Sequence, residues 1–328
     1  MKRKVLFRFA AIIAVIAGTL LLSTSCSNPA GGGGDPPPAP YIITGSGTSF
    51  TATRGGTAIP NASGVTIANL MTAIRAHAAG ADITIQFGSG GSDVLDIGTA
   101  TVTFNNTGGI WGSTITLTGS ITGSNGSGYT ILVSSGTPLS IISTANIEYT
   151  VGNWYAIDYS GTGTLTINGG TILRTHAGNN TAYAVSVGIN SNLIMTGGTI
   201  QSTSGAVAIY TESSQPEVMN FSGGTVQADT GPAISSTGAL NTGVIRVSGT
   251  AIIRSQNTAA SGTISLAMGG ASTTPRLIMT GGQVINDADD PNARAIHNNS
   301  AAGTMQLPAG HAGIEGKVFE RGTEITTD

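Results

Sequence analysis

The chain is poor in charge. Only 9% of its 328 residues are Asp, Glu, Lys or Arg, and four of the 13 basic ones (Lys2, Arg3, Lys4, Arg8) fall in the first eight positions. Beyond residue 26, nine basic residues face 16 acidic ones, a net charge of −7, with Lys317 as the only lysine. Such a surface repels nucleic acid and lacks the basic patch needed to hold it. Cysteine is scarcer still. Cys26 stands alone, so no intramolecular disulfide can form. The four histidines, at 77, 176, 297 and 311, share no ligand spacing, and no serine sits in a Gly-x-Ser-x-Gly elbow. Nothing here points to a metal centre or a nucleophilic triad.

What abounds is glycine, serine, threonine and asparagine, arranged around a repeated phrase. It reads Leu165-Thr-Ile-Asn-Gly-Gly-Thr-Ile172, then Leu193-Ile-Met-Thr-Gly-Gly-Thr-Ile200 and Met219-Asn-Phe-Ser-Gly-Gly-Thr-Val226. Looser and final copies are Ile245-Arg-Val-Ser-Gly-Thr-Ala-Ile252 and Leu277-Ile-Met-Thr-Gly-Gly-Gln-Val284. Their first glycines stand at positions 169, 197, 223, 249 and 281, a nearly constant period in the range that signals a solenoid. Leu165 and Ile167 share one face of a strand, whereas Ile172 lies at an odd step from Leu165. The glycine pair must therefore bend the chain and reset the alternation. A third strand follows in several repeats, as in Tyr183–Val187 and Val207–Tyr210. Three short strands per repeat predict an all-β fold, a right-handed parallel β-helix of about seven coils. Equal steps from Ile115 to Ile141 and from Ile141 to Ile167 extend it ahead of the clear glycine phrases.

The remaining segments give the organisation. Residues 1–26 combine a basic start, an apolar run from Phe9 to Leu22 and small residues before Cys26, the pattern of a secretory signal. The ending resembles a bacterial lipobox, with leucine four rather than three residues before the cysteine. That resemblance implies lipidation at Cys26, and the relaxed spacing is similar to that of spirochaetes. An ordinary signal peptide with an incidental cysteine is the alternative. Residues 27–40 form a Gly/Pro-rich linker. Residues 41–110 form an N-terminal cap region. Within it, Ile67, Leu70, Met71 and Ile74 mark an amphipathic helix over about 65–78, with Ser63 as its cap and Gly80 as its stop. The β-helix spans 111–300, and 301–328 form a C-terminal cap or tail.

The glycine phrases resemble right-handed parallel β-helix repeats of the pectate-lyase-like kind, and they are similar to Gly-Gly-Thr-Ile-rich bacterial surface lipoproteins. The resemblance implies an exported protein, lipid-anchored in the cell envelope at the outer membrane or cell surface. It implies a non-catalytic, adhesin-like binder of glycan or another surface polymer. The alternative is a polysaccharide lyase or glycoside hydrolase of the same fold. Asp289-Asp290 followed by Gly310-His311 is all that matches a hydrolase, and no Asn-x-Asp or Arg-x-Lys accompanies it. Asp287, Asp289 and Asp290 could hold a structural calcium ion, the one cofactor to consider, although an acidic turn is the plainer reading. Gly88–Leu95 approaches a calcium nonapeptide but occurs once, which fits a turn. For sugar stacking the candidates are Trp111 and Trp154. Tyr155 and Tyr183 are spaced like the neighbouring glycine phrases, each two positions before an apolar partner, Ile157 and Val185. They are expected to stack inside the solenoid.

Overall fold

The computed structural model describes residues 37–325, apart from 107–108, 176–181, 204, 214, 216, 239–242 and 270–274. The expected signal segment with Cys26, most of the expected linker and His176 lie outside the described residues. The body from Pro38 onward is a parallel β-solenoid of about seven turns with one helix near its start.

Each coil contributes three strands, and each strand pairs in parallel with its counterpart one coil away. In one coil these are Ser191–Met195, Thr199–Ser202 and Val207–Thr211; in the coil before it, Gly163–Ile167, Thr171–Arg174 and Tyr183–Val187. The first two strand positions lie in one 20-stranded sheet, and the third builds a separate 10-stranded sheet. Alternation places one aliphatic column inside each stack. The first runs Ile115, Ile141, Leu165, Leu193, Met219, Ile245 and Leu277. The second runs Ile121, Ile147, Ile172, Ile200, Val226, Ile253 and Val284, and the third Ile131, Ile157, Val185, Ile209, Ile234, Ile264 and Ile296. All are at most 1% exposed. At about 1.5–3 kcal/mol per buried aliphatic side chain, these columns are the main source of stability. One expected step is corrected: Ile141 pairs with Leu165 rather than Ile167, so that coil is shorter than equal steps imply.

The glycine phrase is the corner between the first two strands. Gly170, Gly198, Gly224 and Gly282 all have φ between +70° and +79°. At Gly198 a Cβ would also fall 2.7 Å from the backbone of Gly169 and Gly170 in the coil below. Two independent demands, a left-handed bend and close stacking of corners, select glycine there.

The helix, α1 (Ile67–Ala78), buries Ile67, Leu70, Met71, Ile74 and Ala78 against the first coil. Thr66 caps it, accepting from the Asn69 N–H, in place of the expected Ser63. Ala79, not Gly80, is the left-handed residue that closes it, donating its N–H to the Arg75 carbonyl. Ahead of it, the hairpin Tyr41–Ser46/Ser49–Arg54 adds Tyr41 opposite Ile85 of the first solenoid strand. Parallel pairing then runs from Ile83 to Glu320, wider than the 111–300 phrase region. Met305–Gln306, Ile314–Glu315 and Lys317–Glu320 repeat the three-strand pattern once more at the C-terminal end.

Candidate functional site: an aromatic ladder on the outer face

The third-strand sheet presents one outward row in register: Leu132, Asp158, Ser186, Tyr210, Ser235, Ser265 and His297. Beside its first half stand tyrosines from successive coils. Tyr129, Tyr155 and Tyr183 lie at equivalent positions, each two residues before the paired set Ile131, Ile157 and Val185. Their ring centroids are 5.5 Å and 4.9 Å apart. Tyr210, from the outward row itself, closes on Tyr183 at 4.3 Å with rings 8° from parallel. Trp154 stands edge-to-face with Tyr129 at 5.2 Å and is 36% exposed.

The expected stacking of Tyr155 and Tyr183 is present, but not inside the solenoid. All four ladder tyrosines are partly exposed, and the interior tyrosines of this region are Tyr149 and Tyr159. Parity counted back from Ile157 places Tyr155 inward. The strand itself begins at Ile157, and the turn before it breaks the alternation. Tyr129, one coil before Tyr155, and Tyr210, one coil after Tyr183, complete the ladder. Their coil-length spacing was the signal that could have found it.

Asp158 is the buried carboxyl of this face. Burial pushes its pKa up, opposed by hydrogen bonds from Tyr129, Ser186 and Ser160. The tyrosines are held neutral. Burial raises Tyr129 to about 12, with help from the Asp158 charge. Tyr155 also rises to about 12, chiefly through burial and then through its neighbours Tyr183, Asp158 and Glu212. Burial is again the main cause for Tyr210, whose hydroxyl donates to Glu212 at 2.5 Å and meets the Thr237 hydroxyl at 2.8 Å. The loop carrying Trp154 is pinned from within. Fully buried Arg174 donates Nε to the Trp154 carbonyl and Nη2 to the Gly152 carbonyl, both at 3.2 Å.

The ladder's chemistry follows from its geometry. Rings stacked at 4.3–4.9 Å cover one another's faces, so Tyr155 and Tyr183 present edges and hydroxyls outward. Trp154, which also packs against Tyr155 at 6.0 Å, is the most exposed ring of the group. Along the outward row stand the hydroxyls of Ser186, Ser235 and Ser265, the first of which, like that of Ser160, is already bonded to Asp158.

The other expected site residues lie elsewhere. Trp111 is in the core, 4% exposed and edge-on to Phe104. Asp287 forms an ion pair with Arg254 at 2.8 Å, and Asp290 closes an Asx turn on the Asn292 N–H. Asp289 is exposed in the same loop. Asp93 accepts from the Ser89 N–H and hydroxyl, which makes Gly88–Leu95 a local turn. His77 is bonded to the Tyr41 hydroxyl at 2.8 Å. Among the described residues no three His, Cys, Asp or Glu side chains are grouped to hold a metal ion, and no helix is long and apolar enough to cross a membrane. No family model matches the chain, and neither does any curated protein or solved structure.

Proposed function

We propose that this is an exported envelope protein, lipid-anchored at Cys26, whose solenoid binds an extended glycan or similar surface polymer without turning it over. The kinship with pectate-lyase-like surface lipoproteins, and any spirochaetal source, belong to the same reading. The observation that carries it is the aromatic ladder flanked by exposed Trp154, beside a row that bears the hydroxyls of Ser186, Ser235 and Ser265. Sugar recognition needs an aromatic plane for the apolar ring face and hydrogen-bonding groups for the hydroxyls, and this face offers both. Successive coils repeat at ~4.8 Å, so contacts along the face are many, similar and individually weak.

A glycan array probed with residues 41–328 tests the reading. Trp154→Ala should reduce retention of every bound polymer at least several-fold, with the melting temperature kept close to wild type. Retention unchanged in that variant would sink it.

One observation favours the enzymatic alternative, a lyase or hydrolase: Asp158 is a carboxyl whose pKa burial raises, as a general acid requires. Against it, three hydrogen bonds already occupy that group, and two carboxylates at fixed separation are needed for glycoside hydrolysis. Reducing-end release and unsaturated-product absorbance on pectin, alginate and glycosaminoglycans decide between the two. Turnover abolished by Asp158→Asn would make this an enzyme.

A further inference from the structure

The underside of α1 holds a feature that polymer binding along the ladder does not use. Between the helix and the strand Val102–Phe104 lies a cleft of about 260 Å³, lined among others by Ala68, Met71, Arg75, Asn105 and Trp111. Arg75 is 6% exposed. Its Nη1 donates to the Asn105 backbone carbonyl at 2.9 Å and to the Asn105 Oδ1 at 3.3 Å, and its guanidinium lies 5.7 Å from the Trp111 ring. Every one of these partners is neutral. Among the described residues no carboxylate pairs with Arg75, whereas buried charges are ordinarily paired because desolvation is costly.

A second observation is independent of the charge. The Trp111 Nε1–H is buried and has no hydrogen-bond partner among the described residues. A buried indole N–H usually finds an acceptor, and leaving one unmet costs about 1–3 kcal/mol. On its other side Arg75 borders a second hollow of about 300 Å³, which it shares with Gly80, Gly109 and Ile110. Gly109 leaves that side open, since a Cβ there would stand 3.4 Å from the Arg75 Nε. A buried cation and an indole with an unmet donor thus lie side by side, 5.7 Å from guanidinium to ring, where α1 meets the first coil, with apolar walls from Ala68 and Met71.

We propose that this cleft binds a small oxyanion, a carboxylate or a phosphate, whose negative oxygens compensate Arg75 and satisfy the Trp111 N–H, with any apolar portion lying on Met71 and Ala68. A guanidinium suits this ligand because its planar set of donors matches two oxygens at once. The occupant bridges α1 and the first coil, so binding stabilises the cap in proportion to ligand concentration. The site stands apart from the ladder and does not depend on the polymer-binding reading.

The test uses the whole body, residues 41–328, carrying Trp154→Phe, which leaves Trp111 as the only fluorescent indole. Inorganic phosphate, acetate and hexanoate are titrated at constant ionic strength, with chloride and choline as controls. The expected result is a saturable change in Trp111 emission and a rise in melting temperature with at least one oxyanion, complete by about 10 mM. Arg75→Gln should abolish both, and Trp111→Phe should weaken the thermal shift. Because Arg75→Gln could fail to fold, Arg75→Lys serves as the second variant, keeping the charge but losing the fork and with it most of the affinity. No saturable response to any oxyanion, an equal response to chloride, or an undiminished response in folded Arg75→Gln overturns the proposal.

Discussion

At Gly198 two demands meet in a single residue. Its φ of +79° lies where a β-branched side chain is strained, and the coil below sits 2.7 Å from where a Cβ would be. Gly198→Val should therefore lower stability by at least ~1–3 kcal/mol, measured by denaturant unfolding. Thr199→Val, one position on and partly exposed, should change it little. A melting curve for Gly198→Val that overlays wild type would remove the corner from the account of the fold. The corner was legible in the sequence, because an odd step between two inward residues cannot occur on a straight strand. Trp111 shows where such reading ends. Nothing local distinguishes it from Trp154, yet one is buried beneath α1 and the other is held at the surface by the buried Arg174, which ends the third strand further along the chain, Thr171–Arg174.

Among the elements, strands and helix were readable from their periods, since alternation and 3.6-residue spacing reflect burial directly. The ladder was not. Stacking depends on register between coils, and facing depends on where a turn releases the alternation, which occurs between Tyr155 and Ile157. The ladder has a measurable consequence in alkali. Tyr129 and Tyr155 have pKa values raised to about 12 in the folded chain, above the ordinary value of 10, so the folded state holds protons that the unfolded state gives up. Stability is then fully present below pH 10 and falls as pH rises from 10 towards 12. Unfolding followed across that window should show a steep loss in wild type and a shallower one in Tyr155→Phe, which removes one titrating hydroxyl and keeps the ring. Equal slopes would mean that the rings are as solvated as free tyrosine, contrary to the stacked geometry.

Across the whole molecule, the same repetition that builds the core also multiplies the outer surface. A solenoid face offers contacts in a line, and linear arrays gain strength through effective concentration rather than through a deep pocket. The polymer-binding proposal therefore ties affinity to display. Soluble residues 41–328 should bind one polymer stretch with a Kd of roughly 0.1–1 mM, about −4 to −5.5 kcal/mol. Cells displaying the anchored chain should hold the same polymer far more tightly. On the same proposal anchoring rests on Cys26, because stable attachment takes two acyl chains or more, and this is the chain's one thiol. Cys26→Ala should abolish palmitate labelling, move the protein to the soluble fraction and reduce polymer capture by cells to background, while leaving the melting temperature of the body untouched. Equal labelling of mutant and wild type would remove the anchor. Equal capture by soluble and displayed protein would remove the avidity argument and point instead to a discrete, high-affinity pocket.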